Sequence, residues 1–224
     1  MAAATLFAGS GADPLVARLV QRHVAVHWRA GLARVSDFGD ATGYVLATLV
    51  ALAVVHLLAR RRPTAAARLR AYARYGYLLL ASLALSGLAV AVIKPLVGRL
   101  RPKYLLRQDL YGVQPLNFDF AMIGFPSGHS QTIWVIATVL VILLARLRQD
   151  LGARLTPPGR PLGWLLSTLA WMAIAGAALV ALSRVLLNAH FVSDVLAGSL
   201  LGVAVTLWLA PRILVDRAQN QREQ

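Results

Sequence analysis

Five stretches of this chain, at 41–59, 75–93, 125–145, 162–182 and 191–210, are almost continuously apolar, and only short polar connections separate most of them. A helix rises 1.5 Å per residue, so each stretch is close to the ~20 residues needed to cross ~30 Å of hydrocarbon. Their continuity excludes a β-barrel, in which lipid-facing and lumen-facing positions alternate along every strand. Composition points the same way: 58% of residues are hydrophobic and 14% charged, with a mean hydropathy of +0.63, far from the usage of soluble domains. The expected fold is all-α, a polytopic membrane helical bundle of about five transmembrane helices. In 224 residues this leaves room for one membrane domain at 41–210, a segment at 1–40 before it and a polar tail at 211–224, with no separate soluble module.

A net charge of +14 suggests nucleic acid in a soluble protein. Here the arginines sit between apolar runs, where charge sets topology instead. The connections "RRRPTAAARLRAYAR" (60–74) and "RLRQDLGARLTPPGR" (146–160) and the tail from Arg212 all fall on one side of a five-span chain. The positive-inside rule makes that side cytoplasmic. Segment 1–40, the long connection 94–124 and the short one around 183–190 then face a periplasm or cell exterior, as in a bacterial inner membrane. That outward side still holds ten of the 23 Lys and Arg, so something there retains positive charge.

Before the first run, Val16, Val20, Val24, Trp28 and Val35 recur near one helical face, with Arg18, Arg22 and Arg29 on another. This spacing predicts an amphipathic helix, lying on the membrane surface or packed on the bundle. His23 and His27 are four apart but have no third metal ligand nearby in the sequence. The opening residues lack a basic region before an apolar core, so the first span is expected to direct insertion. There is no cysteine, which excludes disulfides and thiolate metal sites. Gly198-x-x-x-Gly202 reads as a small-residue packing face, and "TPPG" at 156–159 as a turn.

Chemistry must reside in the polar segments, and three of them stand out. "VIKPLVGRLRPKY" supplies Lys94 and Arg101-Pro102 at the end of the second run; alone, such cations are common snorkelling anchors. "FPSGHS" places Ser127, Gly128 and His129 at the start of the third run. A helix N-terminus offers unpaired N–H donors and partial positive charge, which suits a phosphate; a capped helix end with an incidental histidine would read the same. "SRVLLNAHFVSD" supplies Ser183, Arg184, His190 and Asp194. His190 and Asp194 are four apart, on one face if the helix has started. A carboxylate so placed accepts from Nδ1 and leaves Nε2 free to attack; a buried His–Asp tie is the alternative. All three segments fall at the outward ends of spans. Lys94, Arg101 and Arg184 match the charge of a phosphate dianion, with N–H groups near Ser127 and Gly128 receiving its oxygens.

Taken together, Lys94-x6-Arg101-Pro102, Pro126-Ser127-Gly128-His129 and Ser183-Arg184-x5-His190-x3-Asp194 resemble the three-part signature of the type 2 phosphatidic acid phosphatase (PAP2) family of lipid phosphatases. The resemblance covers about 94–194, and every defining residue is present in order. It implies a core shared with haloperoxidases, His190 as nucleophile, Asp194 orienting it, and His129 protonating the leaving alkoxide and then activating water. It implies no metal and no other cofactor. Many bacterial relatives have six spans, whereas the segment before the first apolar run here is too polar to cross.

The implied substrate is a terminal phosphate or diphosphate on an amphiphile held at the bilayer surface, with no nucleic-acid partner. Phosphatidic acid, phosphatidylglycerol phosphate, undecaprenyl diphosphate and lipid A phosphates all qualify, and no residue chooses among them or defines an oligomeric state. Asp109, Asn117 and Asp119 in the long connection are candidate headgroup contacts or ordinary loop residues. A phosphotransferase would use the same residues. A non-catalytic binder or transporter of anionic lipids would need the cations without the His–Asp relation. A vanadate haloperoxidase shares the anion pocket on soluble helices, which the five apolar runs oppose.

Overall fold

The computed structural model describes residues 11–152 and 160–214. Among these described residues, eight α-helices follow one another: α1 Ala12–His23, α2 Val26–Asp37, α3 Ala41–Arg61, α4 Ala66–Val97, α5 Pro102–Gln108, α6 Gly128–Gly152, α7 Arg160–Leu186 and α8 Val192–Leu214. A 3-10 turn, Pro63–Ala65, joins α3 to α4. Five helical stretches are long and apolar enough to span a membrane, matching the five apolar runs. The helices overshoot those runs where arginines extend them toward water: α4 begins nine residues before Tyr75, in a stretch containing Arg68, Arg70 and Arg74.

The central helix is α6, which packs on α7, α8 and α4. Its approach to α8 depends on the predicted glycine pair: a Cβ on Gly198 would lie 2.2 Å from the Ser127 carbonyl oxygen, and one on Gly202 2.5 Å from that of Gln131. Without side chains there, the two backbones meet, which is how small residues drive packing in lipid. On the other flank, Gln131 Nε2 donates to Ser86 Oγ at 2.6 Å, joining α6 to α4 through a buried polar contact. The outward-facing apolar side chains, among them Leu49, Leu88, Trp171 and Leu207, cover the lipid-exposed surface. At the arginine-rich end the Arg212 guanidinium lies 4.0 Å above the Trp208 ring, an arrangement suited to the headgroup layer.

The N-terminal segment differs from the single amphipathic helix expected. It breaks at Val24 and Ala25, both extended, into two helices with different neighbours. Val20 is buried against Ala181, Val185 and Val195, with Val16 and Val24 beside it, whereas Val35 packs on the α6–α7 pair at Ile133, Ala137, Ala177 and Val180. One straight helix cannot serve both faces. The break leaves Trp28 exposed and puts His23 and His27 on different helices, which ends their one-turn relation. Asp40 then caps α3, its Oδ1 accepting from the Thr42 N–H at 2.7 Å. The expected "TPPG" turn and the end of the polar tail lie outside the described residues.

Candidate active site

The site lies at the end of the bundle opposite the arginine-rich connections and is assembled by turns. Gly98 stops α4 one turn after Lys94, with φ 60° and its N–H donated to the Lys94 carbonyl. This left-handed end is glycine's natural role; a Cβ there would also lie 1.6 Å from the Gln114 carbonyl oxygen. The chain then runs back over the bundle as an extended segment, bridged antiparallel at Arg99–Val113 and Leu100–Ile123. Extended backbone sends alternate side chains to one side, so Arg99 and Arg101 both turn inward. Arg101 Nε and Nη2 donate to the carbonyls of Ile123 and Phe120 at 3.1 and 3.2 Å.

His190 sits in the turn between α7 and α8. The Ala189 and His190 N–H groups both donate to the Arg184 carbonyl, and Asn188 takes a left-handed backbone, φ 52°. Helix α8 starts only at Val192, so His190 and Asp194 do not share a helical face as expected. Asp194 instead closes a cap: its Oδ2 accepts the Phe191 N–H at 2.9 Å, as an acid at the third helical position does. The cap still presents Oδ2 to His190 Nδ1, at 3.6 Å, a few tenths of an ångström beyond a hydrogen bond. Asp194 is fully buried and His190 3% exposed. Burial pushes the His190 imidazole down to about 4; Asp194 opposes this, and the charges of Arg101 and Arg184 add to it. At neutral pH the ring is therefore uncharged and its lone pair available.

Ser127 and Gly128 begin α6 in a different way from that predicted. The Ser127 N–H is donated to the backbone carbonyl of Asp194 at 2.9 Å, so it is not free for a phosphate oxygen. Its Oγ caps the helix, accepting from Ser130 Oγ at 3.0 Å and from the Ser130 N–H at 3.4 Å. The donors left at the helix start are the N–H groups of Gly128 and His129. His129 is pressed by the loop after α2, where a Cβ on Gly39 would lie 2.7 Å from its own. Arg184 is held by Ser36 of α2, whose Oγ accepts from Nη1, while its buried Nε has no partner.

Lys94 feels the charges of Arg101, Arg184 and Asp194, and Gly124 lies where a Cβ would touch Asp194, Arg101 and His190. The sequence-predicted residues are thus brought together, with three cations around one histidine. None of Lys94, Arg101 and Arg184 forms an ion pair with a carboxylate among the described residues. Asp194, whose charge acts on Lys94 and Arg101, is already bonded by a different cation, Arg99, at 2.9 Å, and the charge acting on Arg184 is that of Asp37. Like charges crowded at a half-buried site with no carboxylate paired to them suit an anion. Burial, the larger influence, lowers Arg101 although Asp194 acts to raise it.

This family of chains can now be named from its sequence. Residues 75–216 match the PAP2 superfamily. The chain belongs to that superfamily. Among curated relatives, it is 29% identical over 140 residues to a lipid A 1-phosphatase of Rhizobium etli, covering 61% of this chain and 51% of the relative. It is 28% identical over 148 residues to a lipid A 1-phosphatase of Rhizobium johnstonii, covering 64% and 52%. The chain thus spans about half the length of the curated relatives it matches. In fold it is similar to a transmembrane PAP2-type phosphatidylglycerolphosphate phosphatase from Bacillus subtilis, with a TM-score of 0.63 at 19% identity over 99% of this chain and 92% of the other. With its five apolar helices, this PAP2 chain is an integral membrane protein.

Sequence reasoning missed Arg99, Asp13, Ser36 and Gly124. Arg99 lies among the six unspecified positions of the first motif, where nothing marks it as functional. Asp13 and Ser36 approach the site only through folding, 180 residues from Ser193 and 148 from Arg184. Asp109 pairs on the surface with Arg18 at 2.8 Å. Asn117 and Asp119 accept backbone N–H groups two residues ahead, so they shape the loop.

Proposed function

We propose that this PAP2 protein is a metal-independent membrane lipid phosphatase working through a phosphohistidine. The observation that carries the reading is the set of three cations without carboxylate partners around a buried, neutral His190. Lys94, Arg101 and Arg184 hold the phosphate oxygens, with the Gly128 and His129 N–H groups at the α6 terminus adding backbone donors. His190 Nε2 attacks phosphorus in line while the P–O bond to the alcohol breaks, and His129 gives that oxygen a proton. Asp194 faces the Nδ1 side and stabilises the charge arising on the ring. His129, now a base, takes a proton from water as the water attacks the phosphohistidine. Inorganic phosphate leaves and His190 is restored.

An amphiphilic substrate is supported by the apolar cavity of about 310 Å³ between α2, α3, α6 and α7, lined by Val35, Phe38, Tyr44 and Ile133 among others. Ile133 lies one helical turn inward of His129 and Val180 one turn inward of Arg184, so an acyl chain can lie in lipid-facing apolar surface while its phosphate reaches the cations. The relatives' names make lipid A 1-phosphate and phosphatidylglycerol phosphate the first substrates to try, beside phosphatidic acid and undecaprenyl diphosphate. Phosphate release by purified protein in detergent with chelator present tests the reading; no release from any of these lipids would defeat it.

The site faces the periplasm or exterior in this proposal. The chain has no native cysteine, so Val113→Cys should react with an impermeant thiol reagent on intact cells and Gln149→Cys should not. The reverse pattern would put the site in the cytoplasm.

A further inference from the structure

Arg99 is 5% exposed and takes no part in the steps above, yet it is the most extensively bonded cation in the site. Its Nη1 donates to Asp194 Oδ1 at 2.9 Å and to Ser193 Oγ. Its Nη2 donates to Asp13 Oδ2 at 2.7 Å and to Tyr111 Oη at 2.9 Å. The guanidinium also lies 4.5 Å over the Phe191 ring. Burial acts to lower its pKa, but Asp194, the hydrogen-bonded Asp13 and, least, Tyr111 together hold it above its ordinary value. Asp13, 1% exposed, reaches across from α1: its Oδ1 accepts the Ser193 N–H at 3.1 Å and its Oδ2 the Ser193 hydroxyl. A carboxylate from the N-terminal segment therefore caps the helix that carries Asp194, and one planar cation is shared between the two acids.

We infer that Arg99 and Asp13 are positioning residues for the reaction: together they hold the Asp194 carboxylate against His190 and set the net charge behind it, making α1 part of the catalytic apparatus. This rests on the phosphatase reading above. Neither residue touches the phosphate. Arg99 bonds the Asp194 oxygen that faces away from His190, which leaves Oδ2 to the imidazole and the Phe191 N–H. The geometry needs a fork with separate donors for two carboxylates, which an ammonium cannot copy. The three groups Asp13, Arg99 and Asp194 carry one net negative charge. They oppose the positive charges that His190 meets from Arg101 before α5 and Arg184 on α7, while Lys94 on α4 acts on Asp194, Arg101 and Arg184 and His129 on α6 faces Arg184 and Lys94. Removing Arg99 leaves two negative charges there and favours imidazolium; removing Asp13 as well returns the count to one.

The test is a pH titration of His190 in the full chain, labelled with ¹³C at the histidine ring and purified in detergent, with His190→Ala assigning the signal. It is paired with turnover of p-nitrophenyl phosphate. In Arg99→Gln the His190 signal should titrate about one pH unit higher, and kcat should fall roughly hundredfold with little change in KM, as for a displaced catalytic group. Adding Asp13→Asn should move the titration back toward wild type. Arg99→Lys, the gentler change if Arg99→Gln does not fold, should lose kcat with little titration shift. An unmoved titration in folded Arg99→Gln, or a shifted titration with wild-type kcat, would overturn the inference. Wild-type turnover in His190→Ala would instead sink the phosphatase mechanism, and the positioning role with it; the titration shift, still visible, would mark that outcome as distinct.

Discussion

The two ends of the bundle use the same residue type for opposite purposes. At the arginine-rich end, Arg60, Arg61, Arg62, Arg68, Arg70, Arg146, Arg148 and Arg212 are exposed. Most of their partners are local: Arg70 donates to the Ala66 carbonyl, Arg146 pairs with Asp150 one turn away, and Arg212 lies over Trp208, while Arg148 reaches only the neighbouring helix, at Ser167. At the opposite end Lys94 and Arg99 are buried, Arg101 and Arg184 half-buried, and the bonds of the three arginines cross the fold. An exposed arginine near a helix end keeps its hydration and contributes little beyond anchoring. A buried one has lost its water and must find fixed partners, or wait for an anion. Position along the membrane normal, more than residue identity, separates anchor from ligand.

The largest effect that would break this contrast concerns the histidine inside the cluster opposite the arginine-rich end. His190→Ala should abolish turnover by several orders of magnitude, since the nucleophile is lost, while leaving a folded protein. Arg148→Ala at the other end should keep wild-type kcat. Comparable losses in both, measured on folded protein with the same lipid phosphate, would erase the distinction between the two ends.

A smaller change sharpens it. Orthovanadate adopts the five-coordinate geometry of phosphorus under attack, so it should inhibit. Arg101→Lys and Arg184→Lys keep charge but lose the fork. A charge-assisted hydrogen bond is worth roughly 1.5–3 kcal/mol, so each should raise the inhibition constant about tenfold or more. Unchanged vanadate sensitivity in both would make these arginines anchors like those at the opposite end.

The effect with the least bearing on turnover is on stability. His190 is held near 4 in the folded chain by burial, against about 6.5 unfolded. The unfolded state therefore binds the extra proton between those values, and stability falls as pH drops through that window, by roughly 3 kcal/mol if His190 acted alone. Denaturation midpoints at pH 7 and 4.5 should differ less in His190→Ala than in wild type. An equal difference would place the acid sensitivity elsewhere.

Much of the site was legible because its residues are tied to local features. Lys94, His129 and Arg184 lie next to the ends of apolar runs, and membrane length fixes where those ends fall. Three motif segments could be assigned to one surface without knowing any contact. The Gly198–Gly202 spacing was equally readable, since one turn of helix determines which positions share a face. Where a local rule was extended past a helix boundary it misled. His190 and Asp194 looked helical but meet through a cap, and Ser127 offered an N–H that the Asp194 carbonyl takes.

What the sequence determined by itself was the class of fold, the depth of each polar segment and the chemical inventory at one end of the bundle. These follow from hydrophobicity, helix period and residue type, all of which act over a few turns. What only the tertiary structure decided was the division of labour among the cations. Lys94, Arg99 and Arg101 stand within eight residues of one another, yet Arg99 is paired with Asp13 and Asp194 while the other two form no ion pair among the described residues. That assignment depends on α1 folding across the end of α8 to bring a carboxylate from position 13 to the N–H of Ser193. Charge pairing is set by distance in space, and no periodicity along the chain encodes a contact between residues 180 positions apart.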